Sequence, residues 1–206
     1  MDRRIYLLSI LLCLLCVTAC ASDIFFYGDS MIAGGEWEMR FENQHIIVRG
    51  YIGYRIEKIS KKDYDLKNIA PQKIFFMAGI NNLVTGLHQE HLQDSFIELF
   101  DKLKNYPHVY VHSILPVAKW HKIPAKRIVQ ANAILQELCK EYGFAYLDLY
   151  SLVAQEDGSM HKSLIRKDGI HLNADGYAFW AECIAPLLEE QTQSMSLPEI
   201  QPYAKK

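Results

Sequence analysis

Five residues scattered along the chain, Ser30, Gly53, Asn81, Asp168 and His171, have the types that acyl transfer needs. A serine hydroxyl is a weak nucleophile alone and needs a nearby base. Asp168 precedes His171 by three positions, and Gly169 between them lets the chain bend so that both side chains meet at one rim. The carboxylate can then accept the Nδ1 proton of the imidazole, leaving Nε2 to take the Ser30 proton. Attack on an ester carbonyl also creates an oxyanion that needs donors about 3 Å away. The backbone N–H groups of Ser30 and Gly53 and the side-chain amide of Asn81 are the candidate donors.

Positioning such residues falls to the elements that precede them. Ile24-Phe25-Phe26-Tyr27 is a run of strand formers that stops at Gly28-Asp29-Ser30, which reads as strand, tight turn and helix, the helix extending from Met31 to Phe41 with a loop-like start at Gly34-Gly35. Gln44 to Arg49 is predicted as the second strand, ending before Gly50 and Gly53. Mixed charge at helical spacing follows from Tyr54 to Leu66. Lys73 to Ala78, a continuous apolar run consistent with burial on both faces, is the third strand and ends at Gly79-Ile80-Asn81-Asn82. His88 to Lys104 is predicted helical, Val109 to Leu115 a strand closed by Pro116, and Ala125 to Tyr142 a helix capped by Gly143. Phe144 to Leu147 is the fifth strand, ending at Asp148. Irregular sequence leads to Asp168, and Asn173 is an N-cap for a last helix over Ala174 to Leu188. Five strands alternating with helices predict a three-layer α/β/α sandwich on a five-stranded parallel sheet. Ser30, Gly53 and Asn81 all follow strands, so they share the edge where open α/β sheets bind ligands.

The order Ser, Asp, His is also that of the nucleophile-elbow hydrolases, but the second glycine of their motif is missing here. Gly28-Asp29-Ser30, Gly53, Gly79-x-Asn81 and Asp168-x-x-His171 instead resemble the four blocks of the SGNH, or GDSL-type, esterase and lipase family, in order, over Ile24 to about Leu188. The resemblance implies a flavodoxin-like sandwich, with Ser30 as nucleophile and His171 and Asp168 completing the triad. It also implies an oxyanion hole of Ser30, Gly53 and Asn81, and neither metal nor organic cofactor. Met31 stands where the namesake motif has leucine, and Asn82 where many members have aspartate. Both features resemble the branch of the platelet-activating-factor acetylhydrolase catalytic subunits, which remove short acyl groups. A short acyl ester, acetyl on a carbohydrate first, is the expected substrate; lysophospholipase or thioesterase activity and a silent surface-binding role are the alternatives.

With 206 residues, half of them apolar, the chain is long enough for one full core. Lys and Arg number 22 against 24 Asp and Glu, without a basic block, so nothing favours nucleic acid. Arg3 and Arg4 precede an apolar run from Ile5 to Val17, too short to span a bilayer comfortably, and Val17-Thr18-Ala19-Cys20 resembles the lipobox of bacterial lipoproteins. Residues 1–19 are therefore expected to be a leader, with Cys20 lipidated and holding an exported protein on a membrane surface. Ordinary secretion and an uncleaved anchor are the other readings. The hydrolase domain would span residues 20–190 and a frayed tail 191–206. Of five cysteines, Cys139 and Cys183 fall in the folded part, as buried thiols or one disulfide. Asp29 is expected to hold its turn by local hydrogen bonds, Gly50 to serve turn geometry, and Asp148 is a weaker candidate for the triad acid. His45, His88, His91, His108 and His112 are expected on the surface or satisfied in the core, and His121 without a direct role. Trp37 and Trp120 could each line the site or pack in the core.

Overall fold

Parallel strands covered on both sides need apolar side chains on both sides, and two adjacent interior strands of the sheet carry them. The computed structural model describes residues 23–62, 64–86, 89–189 and 201–203. In it β1 (Ile24–Asp29) and β3 (Lys73–Met77) are buried at every position. With β2 (Ile46–Tyr51), β4 (His108–His112) and β5 (Ala145–Leu147) they form a wholly parallel sheet ordered β2-β1-β3-β4-β5.

Alternation along each strand feeds two cores. Phe25, Tyr27, Ile74 and Phe76 pack on one face with Phe96 and Phe100 of α6 (Gln89–Leu103) and Leu135 and Leu138 of α7 (Ala125–Tyr142). Ile24, Phe26 and Phe75 pack on the other with Tyr177, Trp180 and Ile184 of α9 (Ala174–Glu189). Burying each such large side chain contributes about 1.5–3 kcal/mol, which fixes the register, because a one-residue slip would exchange the two faces. Three layers result, as the alternation of strands and helices predicts. The chain steps from β1 outward to β2 and then back across β1 to β3, so the order reverses between β1 and β3. In doubly wound sheets the crevice for ligands opens at that reversal.

The long strands and helices match their sequence-based bounds within two or three residues; the shorter segments differ in instructive ways. The helix expected over 31–41 is two short ones, α1 (Ser30–Ala33) and α2 (Trp37–Arg40). A Cβ on Gly34 would lie 2.4 Å from the Tyr177 hydroxyl and one on Gly35 2.1 Å from the Trp37 ring, so the chain breaks to let those rings in. The 54–66 segment likewise divides into α3 (Ile56–Ile59), a 3₁₀ turn over Ser60–Lys62 and α4 (Tyr64–Ile69). Gly50 is no turn residue. It sits inside β2, where a Cβ would lie 2.3 Å from the Ala33 nitrogen, and its bareness lets α1 lie close on the sheet.

A short helix α8 (Leu149–Val153) occupies the stretch expected to be irregular, and Asp148 caps it by accepting from the Ser151 N–H at 3.1 Å. Cys139 and Cys183 are free, buried thiols on opposite faces of the sheet, which excludes a disulfide; burial pushes both up to about 12. Residues 1–19 and Cys20, with the leader and lipid expectations that fall on them, lie outside the described residues. So does most of the 191–206 tail, although Tyr203 is docked, its N–H donating to the Leu152 carbonyl at 2.8 Å.

Candidate active site

The turn after β1 is built by Asp29. It is the N-cap of α1, and its Oδ1 accepts the Met31 N–H at 2.9 Å, as its sequence context predicts. Ser30 thereby starts a helix at the carboxyl end of a buried strand, with a backbone N–H that has no intrahelical acceptor. Its Oγ lies 2.9 Å from His171 Nε2.

His171 arrives from a turn in front of α9. The Asp168 Oδ1 accepts the N–H groups of Ile170 and His171, both at 2.9 Å, while its Oδ2 lies 3.0 Å from His171 Nδ1. One carboxylate thus shapes the turn and orients the ring. Gly169 adopts φ +77°, a left-handed conformation that glycine accepts without strain, and its carbonyl accepts the Ala118 N–H at 2.9 Å. Burial acts to raise the Asp168 carboxyl, but the donors from Ile170 and His171 outweigh it and hold the group below its usual range. Hydroxyl, imidazole and carboxylate therefore form one continuous relay able to take a proton from Ser30.

The other two predicted residues come from the ends of β2 and β3. Gly53 follows β2 with φ +74° and is solvent-exposed. Asn81, in the first turn of α5 (Ile80–Val84), donates from Nδ2 to the Tyr54 carbonyl at 3.0 Å, one residue beyond Gly53. That bond spends one of its two amide protons. Asn82 plays a part that its sequence position does not announce. Fully buried, it accepts the Ile56 N–H on Oδ1 at 3.1 Å and donates to Glu57 at 3.0 Å. The adjacent asparagines thus clamp the β2–α3 loop to the start of α5. A strand-end Asn-Asn pair is the only sequence signal of that clamp.

Among the other candidates, Asp148 is occupied at the α8 cap, with its Oδ2 accepting from the Ser151 hydroxyl at 2.6 Å, and Asp168 takes the place beside His171. His112 is a core residue, donating from Nδ1 to the Phe76 carbonyl at 3.1 Å, and burial depresses it to about 3. Trp37 is wholly buried, stacked on Phe26 and edge-on to Trp180, so it packs the core and does not line the site. Trp120 is 63% exposed, and its indole nitrogen would lie 3.0 Å from a Cβ placed on Gly169. Among the described residues no group of three or more His, Cys, Asp or Glu could hold a metal.

A narrow cavity is lined by Asp29 and Met31, the two chain neighbours of Ser30, and by Met77, Ile80, Ile114, Val117 and Ile170. About 10 Å³ of it is open to the centre of a water-sized sphere, room for a single water or a methyl group. Asp29 is fully buried, and its Oδ2 makes no hydrogen bond. Burial raises its carboxyl to about 7, against the opposing Met31 N–H and His171 charge.

A carboxyl raised from 3.8 to about 7 keeps its proton in the folded state where the unfolded chain releases it. Its contribution is then full below pH 4 and is lost as pH rises toward 7. At 1.36 kcal/mol per pH unit the loss is roughly 4 kcal/mol. Asp29→Asn keeps the cap but cannot ionise, so its denaturant-derived stability should lack this component. Parallel pH profiles for the two proteins would show that Asp29 does not titrate in this way.

The family model for the GDSL-like lipase/acylhydrolase family matches residues 26–179. No curated protein matches the sequence significantly. Among solved structures, a GDSL-like lipase from Bacteroides thetaiotaomicron superposes with TM-score 0.73 at 19% identity, covering 82% of this chain and 88% of that one. A protein from Streptococcus pneumonia named for platelet activating factor gives 0.72 at 21% identity, covering 90% and 98%. The esterase EstA from Pseudoalteromonas, in a structure inhibited by monoethylphosphonate, gives 0.60 at 13% identity over 78% and 93%. At these identities the superpositions speak to the fold.

Proposed function

Because this chain belongs to the GDSL-like lipase/acylhydrolase family and is a serine ester hydrolase, we propose that it removes short acyl groups, acetyl first among them, from carbohydrate alcohols. The observation that carries its hydrolytic part is the relay from Ser30 Oγ to His171 Nε2 at 2.9 Å and from His171 Nδ1 to Asp168 at 3.0 Å. In the first step His171 takes the Ser30 proton as Oγ attacks the acyl carbon, then returns it to the departing alcohol. In the second it draws a proton from water, whose oxygen attacks the acyl-enzyme and frees Ser30. The developing oxyanion is assigned to the N–H groups of Ser30 and Gly53 and to the Asn81 amide proton not engaged by Tyr54.

Acyl length is argued from the cavity. A space for about one methyl group, walled by packed side chains, accepts acetyl, whereas a longer chain must displace its neighbours. Overpacking costs about 1–3 kcal/mol, so kcat/KM should fall roughly five- to 150-fold from acetate to octanoate on aryl esters. A flat or rising series would point to a lysophospholipase or thioesterase. Carbohydrate is favoured as the alcohol by the exposed indole of Trp120 beside the His171 turn, since an aromatic face suits a sugar ring.

Export and lipid attachment at Cys20 belong to the same proposal and rest on the leader-like residues 1–19. Cys20→Ser should move the activity from the membrane fraction to the soluble one. Activity that stays on membranes would contradict lipidation there.

A further inference from the structure

The segments that carry the nucleophile and the base are joined a second time, away from the reacting atoms. Ser30 Oγ meets His171 Nε2 at 2.9 Å, and just behind this pair the buried Tyr177 hydroxyl of α9 donates to the Met31 carbonyl of α1 at 3.0 Å. Met31 is thereby held at both ends of its backbone, since its N–H goes to Asp29 Oδ1 at 2.9 Å. Its carbonyl needs a donor from outside the helix. In a longer helix the Gly35 N–H would fill that place, but α1 stops at Ala33 and the Gly35 N–H turns back to the Ile32 carbonyl at 3.3 Å.

Tyr177 is itself firmly placed. It lies in the first turn of α9, where its N–H donates to the Asn173 carbonyl at 3.0 Å, two residues beyond His171. Its ring is stacked with Trp180 at 6.1 Å between ring centres and edge-on to Trp37 at 6.2 Å. Burial pushes the phenol up to about 12, so the hydroxyl keeps its proton through the neutral range. Residue 34 leaves the space for it. Gly34 has φ −87°, a conformation open to any residue, yet a Cβ there would lie 2.4 Å from the Tyr177 oxygen, so its bareness serves this contact and not the backbone.

Resting on the Ser30–His171 relay of the proposed hydrolysis, we propose that Tyr177 is a positioning residue, whose bond to the Met31 carbonyl ties α1 to the start of α9 and sets the separation and angle at which Ser30 Oγ meets His171 Nε2. A buried carbonyl without a donor is costly, and a helix of one turn can shift to find another. A displacement of about 1 Å between reacting groups can slow a reaction roughly a hundredfold. The test is a double-mutant cycle on aryl acetate hydrolysis by the full chain, at a temperature where circular dichroism shows every variant folded, so that lost stability alone leaves kcat unchanged. Tyr177→Phe keeps the ring and removes the donor; it should lower kcat roughly ten- to thirtyfold with KM within about twofold. The rate at which an alkyl phosphonate modifies Ser30, which needs the same attack, should fall by a similar factor. Gly34→Ala keeps the phenol but puts a methyl group against its oxygen, so it should lower kcat comparably. With both changes the methyl group meets only the ring, and the loss should be no greater than from either alone, a coupling of roughly tenfold. A Tyr177→Phe protein with kcat within about twofold of the unaltered chain, a loss confined to KM, or single losses that multiply in the combined variant would each overturn the assignment. Should Tyr177→Phe fail to fold, Gly34→Ala decides: unchanged kcat overturns the proposal, and a lowered kcat at unchanged KM supports it. Turnover that survives Ser30→Ala would defeat the relay and the positioning role together, whereas turnover that needs Ser30 but is indifferent to Tyr177 would defeat the positioning role alone.

Discussion

Ser30→Ala should lower ester hydrolysis by roughly 10⁵- to 10⁶-fold, the scale seen when the nucleophile of a serine hydrolase is deleted. The loss should be chemical and not structural. The Ser30 hydroxyl is bonded to His171, while the cap that starts α1 is the Asp29 side chain, and alanine suits a first helical turn. Thermal unfolding of the variant should therefore stay within a few degrees of the unaltered protein. The measurement is steady-state hydrolysis of an aryl acetate together with labelling by an alkyl phosphonate, the class of reagent that inhibits the Pseudoalteromonas esterase. The unaltered chain should gain one adduct, on the peptide bearing Ser30, and the variant none. Comparable turnover in both proteins would eliminate Ser30 as nucleophile and the acyl-enzyme route with it.

The second large effect is expected from Asp168→Asn, roughly 10⁴-fold in kcat. The carboxylate has two tasks that the amide separates. Oδ1 of the asparagine can still accept the Ile170 and His171 N–H groups, so the turn should keep its shape. Its NH₂ group would face His171 Nδ1, where the native oxygen accepts at 3.0 Å, and a donor there forces the imidazole proton onto Nε2. Nε2 then meets the Ser30 hydroxyl as a donor and cannot act as base. Asp168→Ala should lose comparable activity and also stability, because the backbone donors of the turn lose their acceptor. An asparagine variant retaining more than a tenth of the activity would show that Asp168 shapes the turn without setting the ring's tautomer.

How far the chain could be read without coordinates varied with how local the cause was. β1 and β3 stand out because burial on both faces demands unbroken apolar runs, and Gly143 marks its helix end because a left-handed cap at φ 71° is a local requirement. Gly34-Gly35 marked irregular backbone, but the division into two helices there was not legible, since its cause is the Tyr177 ring, more than 140 residues away. Trp37 carried no sign of its side, because a tryptophan after a strand-end turn can face the core or the rim. Asn82 looked like a variation in a motif, and only the Ile56 and Glu57 partners on another loop make it a clamp.

Residue types and their order along the chain determined by themselves which chemistry was available: a hydroxyl, an imidazole, a carboxylate and amide donors, each placed at or near the end of a predicted element. Tertiary structure alone decided that Ser30 and His171, separated by 141 positions, meet at 2.9 Å, and that Trp37 is interior while Trp120 stands at the rim. The reason is physical. Backbone preferences and apolar periodicity act over a few residues, whereas convergence depends on which strands pair and which side chains fill the space between layers, and those contacts exist only once the whole sheet has formed.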